Sequence, residues 1–209
     1  MMIDEGYTKF LVDWQRSEAL DLPQIDELNE WRRPLFDAGL IGVYEDLGIG
    51  FGNISMRVGG DGKFVISGTQ TGHLDELGGE HYSLVTGYSL EHNHVTCRGP
   101  VQASSESMTH AAIYELDPAI QAIAHVHCEE LWVGLMDTMP TTDASVAYGT
   151  PDMAKEFVRL YRECDFAKTG IAVMAGHESG LISVGSSMKE AAMRLLAIDR
   201  DALQTRENP

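Results

Sequence analysis

Ala122-Ile123-Ala124-His125-Val126-His127 constrains this chain more than any other stretch. It alternates with the two-residue period of a strand, so Ile123, His125 and His127 share one face while Ala122, Ala124 and Val126 share the other. Two imidazoles therefore point the same way from one rigid element, entered from an apolar run. Neutral imidazole is a good zinc ligand, and three protein ligands with an open fourth position make a catalytic site rather than a closed structural one. The pair asks for a third ligand. His177 is the best placed, because Ala175-Gly176-His177-Glu178-Ser179-Gly180 ends an apolar strand at a histidine flanked by glycines. The plain alternative is a pair of satisfied core histidines. A second His-x-His, His92-Asn93-His94, lies in a polar stretch with turn residues and reads as an exposed hairpin. Alternation turns Cys128 away from His127, and His73, His81 and His110 are single and separated.

The chain of 209 residues is organised as an N-terminal arm or short helix over residues 1–24 followed by one domain. Residues 25–38 carry Leu28, Trp31, Leu35 and Ala38 at helical spacing, with Gly39 as the stop. Gly59-Gly60-Asp61-Gly62, between Met56 and Phe64, is hairpin chemistry. Helices are predicted over 105–116, 152–161 and 188–203, and a strand over 171–175. Mixed hairpins and helices of this kind predict a layered α/β domain whose sheet is at least partly antiparallel.

Charge narrows the partners. Asp+Glu 32 against Lys+Arg 15 leaves a formal charge of −17, which argues against nucleic acid and against an anionic membrane surface. No apolar stretch approaches the roughly 20 residues that cross a bilayer. Cys97, Cys128 and Cys164 form no paired framework and no secretory segment precedes the body of the chain, so a reducing cytoplasm is expected.

Small anions need only a local set of donors. Three loops rich in Gly, Ser, Thr and Asn offer one: Gly52-Asn53-Ile54-Ser55, Ser67-Gly68-Thr69-Gln70-Thr71-Gly72 and Ser104-Ser105. Together they resemble a neutral phosphate cradle of hydroxyls, an amide and backbone N–H groups, with no Lys or Arg embedded in any of them. Ser104-Ser105-Glu106 alone reads as a helix start, with serine as cap and the acid complementing the dipole. Glu129 and Glu130 read as exposed helix-start carboxylates.

In this order the motifs resemble the class II aldolase/adducin family. The matching pieces are Gly52–Ser55, Ser67–Gly72, Ser104-Ser105-Glu106 with His110 and Tyr114 behind, His125-Val126-His127, Tyr148-Gly149-Thr150, and His177 with Gly180. The resemblance spans about residues 25–200 and implies a three-layer α/β/α domain, over residues 25–209, around a central, largely antiparallel mixed sheet. It implies one divalent metal per subunit, zinc with Mn2+ or Co2+ as alternatives, on His125, His127 and His177. It makes Glu106 the acid/base. Asn53, Ser67, Gly68, Thr69, Thr71, Gly72, Ser104 and Ser105 become the phosphate ligands. The implied reaction is aldol cleavage of a small phosphorylated ketose through an enediolate, in a homotetramer. A 4-epimerase, a dehydratase, a decarboxylase or a metal-free adducin-like scaffold are the alternatives. Three local departures stand out: Glu178-Ser179 separates His177 from Gly180, the Ser67–Gly72 loop is about one residue longer than the aldolase form, and Met139–Tyr148 holds no counterpart of the tyrosine that aldolases borrow from a neighbouring subunit.

Overall fold

The computed structural model describes residues 8–136 and 138–198. In chain order come β1 (Leu11–Arg16), α1 (Gln24–Asp37), the ribbon strands β2 (Gly42–Tyr44) and β3 (Ile49–Phe51), then β4 (Asn53–Arg57), β5 (Phe64–Ser67), β6 (Tyr82–Ser89) and β7 (His94–Gly99). Next are α2 (Ser107–Leu116), β8 (Ala122–His127), α3 (Glu129–Leu135), α4 (Pro151–Glu163), the single turn α5 (Phe166–Thr169), β9 (Ile171–Val173), β10 (Gly180–Gly185) and α6 (Met188–Leu196). Eight strands form one sheet in the order β1-β7-β6-β5-β4-β8-β10-β9. The β1–β7 pairing is parallel, and the others are antiparallel.

The expected three layers are present, with a separate apolar core on each side of the sheet. On one side Met108, Ala111 and Ile113 of α2, Met153, Phe157 and Leu160 of α4, and Phe166 of α5 pack with Ile123. On the other, Ile25, Leu28 and Leu35 of α1, Leu131 of α3 and Met188, Ala192 and Leu195 of α6 pack with Ala122, Ala124 and Val126. The alternation of β8 thus divides its side chains between the two cores, as its period requires.

Local signals set most helix boundaries. The stripe on α1 stops at Gly39, whose φ of 70° lets Leu40 N–H donate back to the Leu35 carbonyl at 2.9 Å. α4 begins with Pro151 at its first position and Thr150 as cap, its hydroxyl accepting from Met153 N–H at 3.3 Å. Thr150→Ala is expected to lower stability by about 1 kcal/mol with activity kept, read by urea denaturation.

Three expectations shift. Residues 11–16 are a strand rather than a short helix, because pairing with β7 decides their state while their own side chains are mostly exposed. α2 starts at Ser107, two residues later than its apolar pattern suggested. The closing helix runs to Leu196, and the expected extension to Leu203 falls partly outside the described residues. Among the described residues no helix is long and apolar enough to cross a membrane.

Candidate metal centre

Antiparallel pairing brings the chemistry to one end of the sheet. In register, Asn53 at the start of β4 faces His125, and Gly180 at the start of β10 faces His127 at the end of β8. β5 also runs out at this end, where Gly68 bridges to Ala103 just before Ser104. Strands far apart in sequence therefore deliver His125, His127, Asn53, the Gly68–Gly72 loop and the start of α2 to one place.

His125, His127 and His177 form a cluster whose ligand atoms all lie within 4.8 Å of one another. They are buried, at 0%, 4% and 5% exposure. His177 reaches it through a tight turn: His177 N–H donates to the Met174 carbonyl at 3.0 Å and Gly180 N–H to the His177 carbonyl at 2.9 Å. The two residues inserted before Gly180 are absorbed by Ser179, which takes a φ of 62°, and its carbonyl accepts from Cys128 N–H at 2.9 Å. Tyr148 stacks on the His177 ring at 4.3 Å and 21°.

The donor set fits a divalent cation. A backbone carbonyl only accepts, so the 3.1 Å contact between His125 Nδ1 and the Leu181 carbonyl puts the hydrogen on Nδ1 and leaves Nε2 with its lone pair. That Nε2 faces His127 Nε2 at 3.0 Å. His125 is held in its neutral, ligating form: burial, and then the neighbouring His127, His177 and His110, push its pKa well below the usual histidine value.

The segment starts α2 as its sequence suggests, with Ser104 Oγ accepting from Glu106 N–H at 3.3 Å, but Glu106 itself, at the cap position, makes no side-chain cap bond. Its carboxylate is 1% exposed and lies 3.5 Å from His177 Nδ1. A buried carboxylate beside neutral imidazoles is costly unless a cation accompanies it. One turn on, His110 is fully buried beneath the same site, its Nδ1 2.7 Å from Ser55 Oγ, which in turn lies 2.8 Å from Tyr114 OH. The i,i+4 spacing of Glu106 and His110 was the available signal for that placement.

Beside the histidines, a small polar pocket is lined by Asn53, Gly68, Thr69, Thr71, Gly72, Ser104 and Ser105, together with Gly50, Gly52 and Gln70. Seven of the eight anticipated phosphate residues are thus brought together. Ser67 is not among them: its hydroxyl accepts from Ile54 N–H at 3.2 Å, across β4 and β5. The buried Asn53 Oδ1, an acceptor, has no hydrogen-bond partner among the described residues. Gly72 is obligatory here, since a Cβ would stand 2.4 Å from the Gly42 carbonyl and 2.6 Å from that of Phe51.

Sequence reasoning missed two residues. Arg32 of α1 is 2% exposed and donates to the carbonyls of Thr71 and Gly72, each at 3.2 Å, and to that of Asp75 at 3.3 Å. It backs a pocket whose loops contain no cation. Tyr44 of β2 places its hydroxyl 2.8 Å from His127 Nδ1. Nothing in the local pattern of either segment marks them. Elsewhere expectations agree with the placement: His92 sits on the exposed β6–β7 turn, Cys128 faces the core on the far side, and Glu129 and Glu130 are exposed at the start of α3.

Residues 47–204 match the family model of the Class II Aldolase and Adducin N-terminal domain, and the chain belongs to that family. No curated protein sequence matches it. Its fold is similar to that of an L-fuculose-1-phosphate aldolase from Thermus thermophilus, with a TM-score of 0.62 at 20% identity over 88% of this chain and 92% of that one. A sugar-phosphate aldolase from Thermotoga maritima gives 0.63 at 18% identity, over 87% and 92%. YgbL from Klebsiella pneumoniae, whose description leaves aldolase, epimerase and decarboxylase open, gives 0.63 at 19%, over 87% of each chain.

Proposed function

We propose that the protein is a divalent-metal-dependent lyase that reversibly cleaves a small phosphorylated ketose into a ketone phosphate and an aldehyde. The observation that carries this reading is the buried three-histidine cluster with the buried carboxylate of Glu106 set 3.5 Å from His177. His125, His127 and His177 would hold the ion, zinc in the first instance, which supplies Lewis-acid polarisation of a carbonyl oxygen.

The chain does the rest. Asn53, the Gly68–Gly72 loop and the Ser104-Ser105 pair bind the phosphate through neutral donors, and Arg32 behind the loop adds positive charge without entering the pocket. Anchoring that end fixes where the carbonyl carbon lies and lowers the entropic part of the barrier. In cleavage the hydroxyl on the departing carbon gives up its proton to solvent water as its C–O becomes the aldehyde carbonyl, and the electron pair of the broken carbon–carbon bond stays on the carbon beside the ketone carbonyl, as an enediolate. Glu106 delivers a proton to that carbon, and in the reverse direction removes it. An adducin-like scaffold needs neither the three histidines nor Glu106, and their joint burial at one point supports catalysis. The reading also carries the homotetramer that the family resemblance implies and the cytoplasmic setting expected from cysteine usage.

Purified without chelator, the protein is expected to carry about one divalent ion per subunit by metal analysis. His125→Ala, His127→Ala and His177→Ala should each lose it, whereas His92→Ala, on the exposed turn, should keep it. A wild-type protein with no ion, or a stoichiometric ion in His177→Ala, would overturn the reading. Screening phosphorylated ketoses, and dihydroxyacetone phosphate with an aldehyde panel in reverse, identifies the substrate.

A further inference from the structure

The β2–β3 ribbon lies outside the main sheet but touches both halves of the site. Toward the polar pocket, Gly50 N–H donates to Gln70 Oε1 at 3.1 Å, and the backbone of Gly42 and Phe51 packs against Gly72. Toward the histidines, Phe51 lies 5.5 Å from the His127 ring between centroids and 4.7 Å from the ring of Tyr44. These contacts fix where the Tyr44 hydroxyl stands, 2.8 Å from His127 Nδ1.

The two ring nitrogens of His127 face different partners. Nε2 is turned to His125 Nε2 and the cluster, and Nδ1 is turned to Tyr44. A histidine that gives one nitrogen to a metal keeps its hydrogen on the other, and the group accepting that hydrogen fixes both tautomer and ring orientation. His125 has such an acceptor in the Leu181 carbonyl. We propose that Tyr44 is the corresponding positioning residue for His127, its phenolic oxygen accepting the Nδ1 hydrogen, so that the ribbon sets metal affinity from outside the ligand set. This rests on the metal reading above.

The two acceptors differ in one useful respect. The one for His125 belongs to the backbone and survives side-chain substitution, whereas the Tyr44 oxygen facing His127 Nδ1 belongs to a side chain. Tyr44→Phe removes that oxygen and keeps the ring that packs on Phe51. Zinc alone is the probe. Its dissociation constant, measured by competition with a chromophoric chelator, should rise about 10–100-fold in the variant, the usual cost of losing an outer partner of a metal-binding histidine. In zinc-loaded wild-type protein the His127 Hδ1 proton should be protected from solvent exchange by NMR, and that protection should be lost in Tyr44→Phe, an effect that altered packing alone would not give. An affinity within twofold of wild type, with the proton still protected, overturns the role of Tyr44 and leaves the metal reading standing. A wild-type protein that binds no zinc removes both.

Discussion

Glu106→Gln is expected to leave the fold and the metal content in place while lowering turnover by about 10²–10⁴-fold, the usual contribution of positioned proton transfer. The expectation comes from where the carboxylate stands. At the start of a helix, an acid that merely complements the dipole is solvent-exposed, and its loss would cost about 0.3–1 kcal/mol of stability with turnover unchanged. Glu106 is instead 1% exposed, makes no cap bond and faces His177. Glutamine is nearly the same shape and cannot take a proton. Exchange of a substrate C–H with deuterated water gives the readout, because it reports enediolate formation without knowledge of the aldehyde. Wild-type exchange in a folded, metal-loaded variant would take Glu106 out of the mechanism.

The parts of the site that were legible in the sequence are those written locally. A period of two set the faces of β8, and those faces are the ones the two cores cover. His177 was legible because an apolar strand ends beside it, and the loops of the polar pocket were legible from their composition. What composition could not supply was register. The face-to-face pairing of Asn53 with His125, and of Gly180 with His127, joins segments more than 50 residues apart along the chain. Ser67 illustrates the limit from the other side: its residue type suits a phosphate, but its position as the last residue of β5 commits the hydroxyl to Ile54 N–H.

Arg32 and Tyr44 were illegible for a related reason. Arg32 lies within the α1 pattern beside Trp31, and only the approach of Thr71 and Gly72 from 40 residues away gives the guanidinium its carbonyl partners. Tyr44 acts through a residue 83 positions further on. Their roles exist only once the sheet has assembled. The loops lining the pocket are neutral, and the cation behind them, Arg32, holds the Thr71-Gly72 backbone in shape.

Mild acid is expected to destabilise the protein through His110. The imidazole is fully buried, and its Nε2 has no hydrogen-bond partner among the described residues, so a charge there would lose its hydration. Burial accordingly pulls its pKa from the ordinary 6.5 down to about 3. The unfolded chain takes this proton near pH 6.5 and the folded protein only near pH 3, so between those values the unfolded state binds more protons. The contribution of His110 is therefore full above pH 6.5 and declines as pH falls, by up to about 1.4 kcal/mol per unit and about 5 kcal/mol in all. His125, also held neutral by burial first and then by its histidine neighbours, acts with the same sign. Urea denaturation of chelator-treated protein at about pH 7 and about pH 4.5 isolates the effect, since metal release is itself proton-linked. Between those two values wild type should lose about 2.5 kcal/mol more than His110→Gln, which lacks the titrating ring. Equal losses in the two proteins would mean that His110 is protonated alike in the folded and unfolded states. The neutral Ser55–His110–Tyr114 network beneath Glu106 would then contribute nothing to acid sensitivity.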